Sequence, residues 1–257
     1  ALSATAPALV LAACGDGGGG GDAGGDDLGL VSDGTLTVAT EGTYRPFTFH
    51  DASGELVGYD VEVAEAVAEE LGLEISFQET QWDAIFAGLD AGRFDTVANQ
   101  VSITPEREEK YTFTQPYTVS RGVVVVAEGD TSVSSFADLE GKTAAQSLTS
   151  NWRTLAEESG AQIEGVEGWA QSVDLLETGR VDVTINDSLT VLDYLNEHED
   201  APIEIAAETE ETSESAFAVT PEREALATAI DGALDTLRAD GTLAELSEKY
   251  FGEDVTE

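Results

Sequence analysis

The sequence constrains its own fold through a passage that occurs twice in altered form. Residues 89–100 read LDAGRFDTVANQ, and residues 176–187 read LETGRVDVTIND. In each copy a tryptophan, Trp82 or Trp169, stands ten residues before the Gly-Arg pair. The pattern is a helix ending at glycine, then arginine, an apolar residue and aspartate, then a strand that finishes on a polar residue. It spells one α/β unit used once in each of two lobes. Gln100 and Asp187 then mark equivalent strand ends. Ligands bind beyond the carboxyl ends of strands in open α/β sheets, so two such ends predict one site between two lobes.

The flanking segments continue the alternation. Residues 36–39 and the Ile75/Phe77 pair read as strands; Val63, Ala64, Val67, Ala68 and Leu71 share one helical face, and Trp82, Ile85, Phe86 and Leu89 another. After Tyr117 the pattern restarts, with strands at 122–127, 143–146, 181–185 and 203–207 and helices at 151–158 and 188–196. An acidic, Ser/Thr-rich stretch at 208–215, a strand at 216–219 and two helices close the chain. Alternating strands and helices predict mainly parallel sheets flanked by helices. The division is a discontinuous first lobe, 35–118 plus 213–257, with a second lobe, 119–212, inserted in it. The two crossings, near 117–121 and 212–216, form a hinge.

At 257 residues the chain has room for two lobes with a core each. The balance of 52 acidic against 11 basic residues excludes nucleic acid and anionic membrane surfaces as partners. Such a hydrated acidic surface also fits a salt-rich habitat. With 41% hydrophobic residues in periodic groups, the charge does not signal disorder. Cys14 is the single cysteine, so there is no internal disulfide and no Cys-rich metal site. It follows the apolar run 7–13, which reads as the end of a secretory h-region with a small-residue cleavage site; the start of the precursor is expected to lie upstream. Residues 15–27 are almost wholly Gly and Asp, a composition that cannot offset its ordering entropy and reads as a tether, making 1–34 a leader and linker. No strand precedes this run and no lysine follows it, against a phosphate-binding loop.

The first repeat runs into ANQVSITPER. Thr104 is a good N-cap, Pro105 suits the first helical position, and Arg107 falls at the third. The sequence carries its own control: TPERE recurs at 220–224, so the motif alone marks only a helix start, and Arg223 reads as a surface residue. Position at the end of the repeat singles out Arg107, where free helix N–H groups and a guanidinium converge on an anion. His50 and His198 are the only histidines, each in a polar stretch without a spaced partner for metal binding or a nucleophile to activate.

From about residue 36 to 253 these segments resemble the polar amino acid binding proteins of bacterial ABC importers, the family 3 solute-binding proteins. ANQVSITPEREEKYTFTQPY, GKTAAQSLTSNW and RVDVTINDSLTVLDYL are most similar to the cystine-binding branch. The resemblance implies a type II periplasmic-binding-protein-like fold, α/β in each of two lobes joined by a two-strand hinge. It also implies an ABC permease as partner, a monomer, and no cofactor, metal or catalytic residue. Leu11-Ala12-Ala13-Cys14 resembles a lipobox, implying lipidation at Cys14 and a place on the outer face of the cytoplasmic membrane.

By the same resemblance Arg107 takes the ligand α-carboxylate, helped by N–H groups near Ser102 and Asn151. Asp187 takes the α-ammonium, with the Gln100 carbonyl and Ser102, although an N-cap for the following helix accounts for Asp187 equally well. Tyr44 and Trp82 cover the aliphatic part of the ligand, Trp82 also fitting a core role; Glu41 meets the side chain or is solvated. Asn99, Thr149 and Asn151 line the cleft, and Thr149-Ser150-Asn151 lacks the glycine common in relatives for basic ligands. The alternatives are a receptor for another polar or basic amino acid, and a dehydratase-like enzyme using carboxylates such as Glu41 and Asp187.

Overall fold

The computed structural model describes residues 28–256; Cys14 and the Gly/Asp run lie outside them. The first strand is β1 (Thr35–Thr40), followed by a three-stranded antiparallel meander of β2 (Thr43–Tyr44), β3 (Thr48–His50) and β4 (Leu56–Val57). Then come α1 (Tyr59–Glu70), β5 (Glu74–Glu79), α2 (Trp82–Asp90), β6 (Thr96–Val97), the single turn α3 (Pro105–Glu108) and β7 (Thr112–Phe113). β8 (Thr118–Ser120) leads into β9 (Gly122–Ala127), β10 (Thr143–Gln146), α4 (Asn151–Glu158), β11 (Gln162–Gly165), α5 (Trp169–Glu177), β12 (Val183–Asp187), α6 (Ser188–Glu197) and β13 (Ile203–Glu208). β14 (Ser213–Ser215), β15 (Ala218–Val219), α7 (Glu224–Ala239) and α8 (Thr242–Phe251) complete the described chain.

Two five-stranded sheets result, ordered β5-β1-β6-β15-β7 and β11-β10-β12-β9-β13. Within each, three strands are parallel, β5-β1-β6 and β11-β10-β12, the two lobes sharing one order. The remaining two join by antiparallel ladders: β15 and β9, which come directly off the crossings, pair with β6 and β12, and β7 and β13 pair with them in turn. The crossings themselves pair as the antiparallel ladder β8–β14, Ser120 opposite Ser213 and Thr118 opposite Ser215.

Strand periodicity decides which face each residue serves. Leu36 and Val38 pack toward Val63, Ala64 and Val67 of α1 and toward α7, whereas Ala39 packs with Ile85 and Leu89 of α2 on the other face. In β9, Val123 and Val125 face α5, while Val124 and Val126 face the opposite side with Ala156 of α4. All four valines are at most 1% exposed, and each contributes roughly 1.5–3 kcal/mol by that burial. Both sheets are thus covered on both faces, which leaves the strand ends as the place for a site.

Candidate functional site between the two sheets

Residues just past the carboxyl ends of β1, β6 and β10, together with Asn186 within β12, line one cavity of about 70 Å3. That is room for roughly five waters, so the two halves are nearly shut upon each other. Glu41, Tyr44, Trp82, Asn99 and Gln100 line it from the first sheet, and Asn151 from the second. Arg107 and Thr149 instead border a neighbouring cavity of about 640 Å3, and Ser102 a third of about 520 Å3. Asn151, the first residue of α4, borders all three. Asp187 borders none of them.

Arg107 is buried, 9% exposed. Thr104 caps its short helix by accepting from the Arg107 N–H at 3.3 Å, and the guanidinium donates to the carbonyls of Ser102 (2.9 Å) and Thr149 (3.4 Å). It lies 5.3 Å from the ring centres of both Trp82 and Phe86, a cation–π setting. Among the described residues no carboxylate pairs with it, and burial pulls its pKa down to about 10.

The second TPERE copy corrects the surface reading of Arg223. Its side chain is 15% exposed, donates to the Phe94 carbonyl at 2.8 Å and lies 3.7 Å from the Asp95 carboxylate. Arg107 is buried and Arg223 half-buried; of the two, only Arg107 lacks an acid among the described residues.

Asp187 performs the capping role. Its Oδ1 accepts from the Leu189 N–H at 2.9 Å, and its Oδ2 accepts from the Ser120 hydroxyl at 2.5 Å. At 3% exposure it too is buried, with no cation bonded to it among the described residues, and burial lifts its pKa to about 6.

Gln100 is the only non-glycine described with a positive φ, 49°. Fully buried Asp60 holds it there, accepting from its backbone N–H at 2.6 Å and its side-chain amide at 2.7 Å. Those bonds offset the strain of a left-handed residue, on the order of 1–2 kcal/mol. The same amide donates to Thr118 in β8 at 3.1 Å. Desolvation raises Asp60 to about 7.

Glu41 accepts from the Asn99 amide at 2.8 Å, while Asn99 Oδ1 accepts from the Glu41 N–H at 2.8 Å. Burial lifts its pKa to about 7, so it is not the solvated acid that composition allows. Trp82 packs with Ile85 and Leu89 and also lines the cavity. Tyr44 reaches across the cleft, its hydroxyl donating to Asn186 Oδ1 at 2.8 Å. The Thr149 hydroxyl is taken by Asp83 at 2.7 Å across the same divide. His50 closes β3 and lies 3.3 Å from Glu79, and His198 stacks on Tyr194; both are exposed.

Sequence reasoning passed over Ser147, Trp169 and Asn186, which also line the cavity. Asn186 and Trp169 are the repeat equivalents of Asn99 and Trp82, so carrying those two across the repeat finds them. Polar groups of both signs, partly unpaired and enclosed between two hinged α/β halves, define a type II binding protein that receives a small polar ligand.

The chain belongs to the bacterial extracellular solute-binding proteins, family 3, which residues 36–253 match. It is 50% identical over 87% of its length, and 83% of the relative's, to the L-cystine-binding protein TcyA of Bacillus subtilis. Among solved structures, the L-cystine solute receptor of Neisseria gonorrhoeae in its unliganded open conformation is 47% identical, with a TM-score of 0.59 over 87% of this chain and 95% of that one. An ancestral arginine-binding protein bound to arginine is 33% identical, with a TM-score of 0.80 over 85% and 99%.

Proposed function

We propose that this solute-binding protein is the receptor of an amino acid ABC importer and captures a zwitterion, best matched by L-cystine, by closing two lobes on it. One observation carries the reading: Arg107 and Asp187, on opposite sides of the cleft, are both buried and neither has an opposite charge bonded to it among the described residues. A ligand carrying both charges supplies both partners, and only closure lets it touch both. The α-carboxylate would meet Arg107 with the N–H groups near Ser102 and Asn151; the α-ammonium would meet Asp187 and the Gln100 carbonyl. Tyr44 and Trp82 would cover the chain between, and Glu41 would face its far end. Residues 35–118 with 213–257 would move as one lobe and 119–212 as the other, about the β8–β14 pair. Lipid on Cys14 would hold a monomer at the outer face of the membrane beside its permease.

The arrangement described is the closed one. A relative 47% identical but open superposes less well than one 33% identical with ligand bound, which supports this. Cross-cleft bonds agree: Tyr44 to Asn186, Arg45 to Asp193 at 3.4 Å, and Thr149 to Asp83. Tyr44→Phe keeps the ring but removes one of these, and should weaken the closed state by about 0.5–1.5 kcal/mol. Stopped-flow fluorescence should then show L-cystine leaving roughly two- to tenfold faster. Unchanged release would strike that bond from the closure mechanism.

A thermal-shift panel of the amino acids plus L-cystine, at low and high salt, tests the reading, with the largest shift expected for L-cystine. A response to Arg and Lys without cystine overturns the ligand and leaves the receptor. Glu41, titrating near neutrality, is what an acid–base enzyme would use; turnover of prephenate would decide for that reading.

A further inference from the structure

The hinge ladder is built from hydroxyls. Thr118-Val119-Ser120 of β8 runs antiparallel to Ser213-Glu214-Ser215 of β14, with Ser120 opposite Ser213 and Thr118 opposite Ser215. Alternate residues of a strand share a face, so these four hydroxyl side chains stand on one side of the ladder. Thr118, Ser120 and Ser215 are buried. Burying a hydroxyl is costly unless it finds a partner, so apolar side chains would serve a buried ladder better if packing were its whole task.

Three of the four bond residues expected to hold the ligand. Thr118 accepts from the Gln100 side-chain amide at 3.1 Å, Ser120 donates to Asp187 Oδ2 at 2.5 Å, and Ser213 donates to the Ser102 hydroxyl at 3.1 Å. Gln100 and Asp187 are the two equivalent strand ends of the repeat, one beside each sheet. Asp60, at the start of α1, holds Gln100 by two further bonds, and the Leu189 N–H at the start of α6 holds Asp187. A line of hydrogen bonds thus runs from α1 through β8 to α6, crossing from one half to the other. Ser215 is the exception, its hydroxyl having no partner among the described residues.

We infer that the β8–β14 ladder is the floor of the ligand site as well as its hinge, with Thr118 and Ser120 as positioning residues that fix Gln100 and Asp187 for the ligand ammonium. This rests on the receptor reading above and adds to it residues that touch no ligand. Because β8 carries both supports across the divide, turning the halves about the ladder brings Gln100 and Asp187 to the ammonium together. Capture and closure are then one step.

Ser120 has a signature of its own. Burial lifts the Asp187 pKa to about 6, and the Ser120 bond opposes that lift by favouring the carboxylate. Tyr44 of β2 and Asp60 of α1 face the same carboxylate. Burial keeps Tyr44 neutral, and Asp60, raised to about 7, titrates alike in wild type and variant. Arg121, next to Ser120, turns its guanidinium to the Thr209 and Glu210 carbonyls.

Trp82, Trp152 and Trp169 line the cavity, so intrinsic fluorescence of the whole chain, titrated with L-cystine from pH 5 to pH 8, reads the effect. If another amino acid gives the larger thermal shift, it replaces L-cystine as the probe. Ser120→Ala should bind about tenfold more weakly at pH 8, as when a hydrogen bond to a charged group is lost. The pH at which its affinity has fallen by half should also move upward, since the carboxylate has lost a donor. Ser120→Thr returns the hydroxyl and should return both. Thr118→Val keeps the shape and should cost about fivefold, whereas Thr118→Ser keeps the hydroxyl and should stay within about twofold. Ser215→Ala, on the same ladder with no ligand residue to hold, should also stay within about twofold.

A Ser120→Ala midpoint equal to that of wild type overturns the assignment, as does Thr118→Val binding like wild type or Ser215→Ala losing as much as Ser120→Ala. A collapse of the ligand-free melting temperature in Ser120→Ala makes its hydroxyl structural and overturns it too. Each of these spares the receptor reading. A wild type that binds no amino acid overturns both.

Discussion

Replacing Arg107 with methionine is expected to abolish most ligand affinity while leaving the ligand-free fold at least as stable. The guanidinium is 9% exposed, has no carboxylate bonded to it among the described residues, and spends two donors on carbonyls. Removing one partner of a buried, hydrogen-bonded charge pair costs about 2–5 kcal/mol, because the other charge stays buried and alone. Here that other charge would be the ligand α-carboxylate, so binding should fall by roughly thirtyfold to several thousandfold. Stability should move the other way. A buried charge without a counter-ion carries a desolvation cost, and methionine fills the space between Trp82 and Phe86 with a favourable sulfur–aromatic contact. Calorimetry with L-cystine and a ligand-free melt on the same protein check both halves. A variant that binds within about threefold of wild type removes Arg107 from the site. A variant whose melting temperature collapses makes Arg107 a structural residue first.

Arg107 and Arg223 also show what the sequence carries and what it withholds. Both sit in TPERE, and the pattern marks a helix start in each. What separates them is the company of Arg223, which comes from Gly29 and Phe94, 194 and 129 residues away in the chain. No local pattern encodes that.

The repeat, by contrast, encodes the alternation of strand and helix directly, since apolar periods of two and 3.6 follow from the strand and helix geometries that bury them. The strands β1, β5, β9, β10, β12 and β13 were legible for that reason, though not their order in the sheets. The meander β2–β4 was not: strands of two and three residues are too short to show a period. β14 lies hidden in an acidic Ser/Thr stretch because a hinge strand has little core to face and so little apolar signal to give. In the cleft, residue types pointed to Glu41, Trp82 and Asn99, but which side of a partition each faces depends on packing. Arg107 and Thr149, expected to line the cleft, thus border the cavity beside it.

Asp187→Asn should separate the two roles that meet in that residue. Asparagine caps a helix about as well as aspartate, so the bond from the Leu189 N–H survives and α6 keeps its start. The charge goes, and with it the acceptor of the Ser120 hydroxyl, which can turn to accept from the new amide instead. If Asp187 receives the ligand ammonium, the variant at pH 8 should lose about 2–5 kcal/mol of binding. The pH dependence supplies a second signature. Burial holds the folded pKa at about 6, against an ordinary value of 3.8. Between those values the folded state binds more protons than the unfolded one, so ligand-free stability rises as pH falls from above 6 toward 4. Asp60 and Glu41, both near 7, add to the same slope from neighbouring elements.

Ammonium binding runs the opposite way, because it needs the carboxylate ionised: wild-type affinity should fall as pH drops through about 6, while the unliganded protein grows more stable. The variant should therefore close its gap to wild type between pH 8 and pH 5, and show a shallower ligand-free stability slope. Should Asp187→Asn bind like wild type at pH 8, the residue is a helix cap alone, and the ammonium must be held by Gln100 and Glu41.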